Sequence, residues 1–124
     1  MTDEQLSVLK EILLGQPSDS WFLHGDCIGA DAQAAELAAS LGYKLECFPA
    51  NRPGKRAFVL SDIVHPEAEP LDRNWDLASG DLLIACPKQF KMITYSGTWS
   101  TVRRAIKRDT PYLVIFSDGT VGTV

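Results

Sequence analysis

Apolar side chains recur at Leu6, Leu9 and Leu13 and again at Val8 and Ile12, which is a helical period. Thr2 stands where an N-cap belongs, and Asp3 and Glu4 fall in the first turn, where the helix dipole favours acids. Gly15 and Pro17 stop the run. The pattern then changes to short continuous apolar runs. Residues 21–24 are closed by Gly25, 43–48 by Pro49 and 81–86 by Pro87, while 112–116 follow Pro111 and leave through Ser117, Asp118 and Gly119 into a short tail. Between these runs the spacing predicts helices over 31–41, ended by Gly42 at the C′ position, over 72–79, ended by Gly80, and over 100–108. Residues 50–71 carry Pro53, Gly54, Pro66 and Pro70 and keep no period; they predict a long loop, or a short strand at 57–60 between loops.

Short all-apolar strands alternating with helices are buried on both faces, as a parallel sheet with crossover helices requires. The expected fold is therefore α/β, a Rossmann-like three-layer sandwich with a mainly parallel sheet, formed as a single domain over residues 1–124. A chain of 124 residues that is 45% hydrophobic and 23% charged has the material for one core. There are no internal repeats and no low-complexity tract. In such sheets ligands bind outside the carboxyl ends of the strands, which singles out the loops at 24–31, 49–56 and 87–100.

Twelve Lys and Arg against sixteen Asp and Glu give a net charge of −4. That balance argues against duplex nucleic acid, since a basic face is needed to displace counterions from phosphates. A local basic patch would have to come from Lys55–Arg56 or Arg103–Arg104. No apolar run approaches the ~18 residues of a membrane span, and the acidic, amphipathic start is unlike a signal peptide, so a cytoplasmic protein without a membrane partner is expected. Three widely spaced cysteines with no CxxC pair argue against a disulfide framework and a zinc site. Cys47 and Cys86 lie in apolar runs and read as core residues. No metal and no cofactor is expected.

The first strand–helix loop, His24-Gly25-Asp26-Cys27-Ile28-Gly29-Ala30-Asp31, has a glycine at each end of its turn. Glycine lets the chain bend sharply and lets a ligand approach the main chain, and the next helix offers free amides and the positive end of its dipole. The competing reading is a plain turn with Asp31 as N-cap. Tyr95-Ser96-Gly97-Thr98-Trp99-Ser100-Thr101 repeats the design at another helix start. Together the two turns suit an anionic or polyhydroxyl ligand, although some of these hydroxyls serve as helix caps. Trp99 either stacks on a base or packs against a neighbouring helix or subunit. Asp26 and Asp31 would repel a phosphate unless they meet sugar hydroxyls, and the balancing cations would be Arg73, Lys55, Arg56 or Arg52. Cys27 sits near a helix N-terminus with His24 as a conceivable base, but no third group orients the pair, and no catalytic residue is assigned.

The strings HGDCIGADAQAAELAASLG, CFPA, LDRNWDLASGDLLIACP and SGTWSTVRRAIKRDTPYLVI, in this order, resemble the SLOG superfamily. These are Rossmann-like domains related to DNA-processing protein A and to the Lonely-Guy phosphoribohydrolases. The likeness is greatest to small stand-alone members with an HGxxxGAD motif, and it covers Trp21 to Phe116. It implies binding of a nucleotide or nucleotide-derived ligand, in a sensing or carrier role, and a homodimer, for which the helices around Trp75 and Trp99 would supply apolar surface. By position the ligand loop would be Gly25, Asp26, Cys27, Gly29, Ala30 and Asp31; Arg73 and Asn74 match the family's Arg-Asn pair, and Ser96, Gly97 and Thr98 its second phosphate-binding loop.

Two departures matter. Hydrolytic members carry GGxGTxxE, and here Thr101 stands where that glutamate falls. The phosphoribohydrolase alternative would need Asp31 or Asp26 in its place. A protein-interaction module with a vestigial pocket is the other alternative. Family members also open with a strand ending in a Gly-Thr-Arg or Gly-Ser-Arg turn, whereas this sequence starts at the following helix. The expectation is that Met1 is an internal or shortened start. The missing strand would be central, so that 21–24 and 82–86 pair directly or another segment or chain fills the slot.

Overall fold

Thr2 caps the first helix as its spacing predicts. In this computed structural model, which describes residues 1–123, helix α1 spans Asp3–Leu14. The Thr2 hydroxyl accepts from the Gln5 amide at 3.1 Å, and the Gln5 side chain accepts from the Thr2 amide at 3.0 Å. This reciprocal box satisfies two donors that the first turn would otherwise leave open. Strand β1 (Trp21–His24), helix α2 (Ala30–Ser40) and strand β2 (Lys44–Cys47) follow. Gly42 takes φ +93° just past α2, so that its own amide reaches Ala39 O and that of Tyr43 reaches Ala38 O. These two bonds end the helix where the glycine predicts.

The irregular stretch does hold a strand, but not at 57–60. Strand β3 is Ile63–Val64, beyond a 3-10 turn at Pro53–Lys55. Phe58 has φ +56°, which no strand ladder accommodates, and the 57–59 backbone is bonded to Asp26 instead. Helix α3 (Pro70–Leu77) starts two residues ahead of the sequence expectation, because Pro70 occupies a first-turn position where its missing N–H costs nothing. Strand β4 is Leu83–Ala85. Helix α4 (Gly97–Lys107) starts three residues early, because the Ser96 hydroxyl accepts from Trp99 N at 3.3 Å and caps it. After β5 (Tyr112–Ile115) the expected tail turns at Gly119 and returns as β6 (Val121–Gly122), antiparallel to β5.

The strands form two three-stranded sheets, not one. In the first, β1, β2 and β3 are all parallel, with Trp21 opposite Lys44 and Glu46 opposite Ile63. In the second, β4 and β5 are parallel, with Leu83 opposite Tyr112. Of the two expected outcomes, direct pairing of 21–24 with 82–86 does not occur. Among the described residues, neither β1 nor β4 has a strand partner on its outer edge. An apolar cluster joins the two sheets nonetheless: Leu9 and Leu13 of α1, Ala35 and Ala38 of α2, Leu45 and Ile115 bury against Phe22 of β1 and Ile84 of β4. The alternate side chains of β4 and β5, Ala85 and Val114, face Trp99 and Val102 of α4. No helix among the described residues is long and apolar enough to cross a membrane.

Candidate functional site

Two helix starts open on one cavity of about 360 Å³. Gly29 and Ala30 line it from the start of α2, Ser96 and Thr98 from the start of α4, and Cys86 to Gln89 from the loop after β4, with Met1 and Gln5 closing the α1 side. At α2 the Ala32 and Gln33 amides bond to Cys27 O and Gly29 O, but those of Ala30 and Asp31 have no partner among the described residues. Gly29 (φ +101°) offers no side-chain cap. At α4 the Trp99 and Ser100 amides are taken by Ser96, and those of Gly97 and Thr98 have no such partner. Unpaired first-turn amides at the positive end of a helix dipole favour an anion. The exposed Lys88 adds a full positive charge at the same cavity.

The walls are fixed from a distance. The buried Gln5 amide donates to Pro87 O and to Ile115 O, both at 2.9 Å, which ties α1 to the carboxyl ends of β4 and β5. Trp99 is fully buried and its indole N–H donates to the Gln89 side chain at 3.1 Å, holding the 87–96 loop. Trp99 is therefore a core side chain, available neither to stack on a base nor to cover a dimer surface.

Five of the expected ligand residues belong to an interior network instead. Asp26, fully buried with φ +59°, accepts from Arg56 Nε at 3.0 Å and from Val59 N at 2.9 Å, while its carbonyl accepts from Ala57 N. Its carboxylate pins the 56–59 segment and does not face the cavity. Arg73, only 6% exposed, donates to Gly25 O at 2.7 Å and lies 3.6 Å from the Cys27 sulfur, so it does not supply charge to a ligand. Asn74 donates to Ser100 Oγ at 3.2 Å and joins α3 to α4. Gly25 makes room for all this: a Cβ there would lie 2.2 Å from Arg73 Nη1 and 2.8 Å from Asp31 Oδ2. Gly25→Ala is expected to cost about 1–3 kcal/mol in chemical denaturation, because the guanidinium it displaces is itself buried and bonded. Asp31 lies between the two regions, close enough for its carboxylate to raise the pKa of both Cys27 and Cys86.

The titrating groups argue against a Cys–His pair. The Asp26 amide donates to His24 Nδ1 at 3.2 Å, which puts the ring proton on Nε2, where it meets Ser61 Oγ at 2.9 Å. Burial pushes the His24 pKa below its usual 6.5 and pushes the Cys27 thiol up, with Asp31 adding to the rise. The ring is neutral and engaged, and the thiol is protonated. A histidine whose folded pKa is depressed contributes stability above its unfolded pKa and loses it on acidification. The melting temperature should therefore fall as the pH drops below about 6.5, and His24→Gln should flatten that slope. His24, Asp26 and Cys47 place donor atoms within 4.8 Å of one another, a set zinc would accept by type. As arranged they do not fit a resident metal: both Asp26 oxygens are bonded, Arg56 already supplies the positive charge, and burial holds the Cys47 pKa at about 11.

No protein-family model, curated protein or solved structure matches this chain. Of the expected site residues, the structure brings Gly29, Ala30, Ser96, Gly97 and Thr98 to one place, with Asp31 beside them. Sequence reasoning missed Gln5, Cys86, Pro87, Lys88 and Gln89. The 87–100 loop was marked by its position after a strand, and Lys88 is its first cation. Nothing local marks Gln5, whose partners lie 82 and 110 residues away.

Proposed function

We propose that the chain is a cytoplasmic sensing or carrier domain of the SLOG type, Rossmann-like and three-layered, whose cavity binds a nucleotide or nucleotide-derived ligand. The observation that carries this reading is that Ala30 and Thr98, whose amides have no partner among the described residues, line one cavity from two helix starts, each beside a second such amide, of Asp31 and Gly97. Those amides would take a phosphate, Lys88 would balance its charge in place of Arg73, and Asp31 would meet sugar hydroxyls. The three-layer arrangement draws support from β4 and β5, which bury one face toward α1 and the other toward α4.

A thermal-shift screen against nucleoside monophosphates, cyclic nucleotides and nucleotide sugars tests it. A ligand at ~100 times its dissociation constant stabilises by ~2.7 kcal/mol. Thr98→Glu separates binding from folding, since an acid in the first turn of α4 suits the helix but repels an anionic guest. The variant should melt at or slightly above the wild-type temperature and lose the ligand shift. An unchanged shift in Thr98→Glu, or no shift across the whole panel with wild type, would leave the cavity vestigial. Release of free base from a nucleoside monophosphate would instead mark a phosphoribohydrolase, for which Asp31 is the remaining carboxylate because Asp26 is bonded to Arg56.

A further inference from the structure

Residues 90–95 are exposed without a break, and Phe90, Met92, Ile93 and Tyr95 among them are large apolar or aromatic side chains. The segment is nonetheless fastened in place. Arg103 donates to Ile93 O at 3.0 Å and to Thr94 O at 3.1 Å, and Phe90 stacks on Phe116 with ring centres 5.4 Å apart. The apolar side chains are thus presented to solvent by a held loop. A contiguous exposed apolar patch of this kind marks an interaction surface.

The charge around it has one sign. All sixteen acidic residues lie outside the stretch from Leu82 to Arg108, which carries six of the twelve Lys and Arg. The basic pair expected at Arg103–Arg104 divides: Arg104, with Arg108, turns over Trp75 of α3 at 5.3 and 5.1 Å from the ring centre, whereas Arg103 turns to the loop. Lys107 stands one helical turn beyond Arg103 on the same side of α4, with the exposed Ile106 next to it. Among the described residues, none of Lys88, Lys91, Arg103 and Lys107 is in an ion pair.

We propose that this face docks on an anionic lipid bilayer, with the 90–95 loop entering the headgroup layer and the four cations meeting the lipid charges. The expectation of no membrane partner followed from the lack of a spanning run, which excludes crossing a bilayer but not lying against one. The cytoplasmic leaflet is negatively charged and attracts clustered Lys and Arg, while apolar side chains amid the cluster gain by leaving water. Hydrocarbon suits the loop better than nucleic-acid bases do. Met92 and Ile93 have no ring to stack, and Phe90 already stacks on Phe116. The proposal goes beyond the ligand reading and does not depend on it.

Flotation of the chain with lipid vesicles tests it. Wild type should float with vesicles of equal parts phosphatidylcholine and phosphatidylserine, stay behind with phosphatidylcholine alone, and detach as salt is raised. Met92→Ser/Ile93→Ser keeps every charge and both aromatic rings of the loop, and should lose flotation. Lys91→Gln/Lys107→Gln should lower the vesicle partition by about thirtyfold, at roughly fivefold for each cation removed. All four positions are exposed and none lines the cavity, so both variants should melt close to wild type. A wild type that floats with neither vesicle or equally with both, or flotation unchanged in either variant, would overturn the proposal. Binding of a single-stranded oligonucleotide in place of vesicles, kept by Met92→Ser/Ile93→Ser, would overturn it too and assign the face to nucleic acid.

Discussion

Asp26→Ala should cost about 3–5 kcal/mol, read as a lower denaturation midpoint at unchanged slope, because it removes one partner of a buried charge pair. The carboxylate is fully buried and serves two donors, Arg56 Nε and Val59 N. Without it the Arg56 guanidinium, only 16% exposed at its side chain, keeps the exposed Glu67 as its one carboxylate partner among the described residues, and the Val59 amide loses its acceptor. Such a loss is large beside the ~5–15 kcal/mol that holds a domain together. Asp26→Asn is the informative companion. Asparagine tolerates the φ of +59° and can still accept from Val59, so it should lose distinctly less than alanine. Equal losses in the two variants would show that charge alone matters at this position. A wild-type midpoint in both would mean that Asp26 does not pin the 56–59 segment.

Trp99→Ala should cost a comparable ~3–5 kcal/mol, the range for emptying a buried aromatic site. Trp99 is fully buried against Ala85, Val102 and Val114, and its indole holds Gln89 at the cavity wall. Trp99→Phe keeps most of the apolar contact but leaves the Gln89 side chain without the indole donor. It should therefore lose less stability while loosening the 87–96 loop, seen as faster amide exchange there. A Trp99→Ala variant as stable as wild type would contradict its place in the core.

The consequence for function is a division of the two glycine turns. Each begins as one motif in the sequence, yet the first is split by the chain's own geometry. Its front half, Gly25 to Cys27, turns inward to Arg73 and the 56–59 segment, while from its back half Gly29 and Ala30 line the cavity. Asp26 takes a left-handed backbone within the front half, and its side chain reaches the interior. No spacing rule reveals this, since an aspartate between glycines in a loop reads equally well as a ligand contact. Arg73 was misplaced for a related reason. A guanidinium near a glycine turn suggests phosphate binding, but Gly25 leaves a gap of just the size that Arg73 occupies.

The sequence by itself determined the local elements: the capped first helix, the four apolar strands, the glycine that ends α2 and the hydroxyl-rich start of α4. These depend on neighbours within a few residues, where capping, turn chemistry and periodicity act. It also placed the candidate loops at the carboxyl ends of strands. Only the tertiary structure decided that the strands divide into two sheets, that β3 lies at 63–64, and that Trp99 and Arg73 face inward. These outcomes depend on contacts between residues tens of positions apart, where the burial of one side chain is set by the shape left by another.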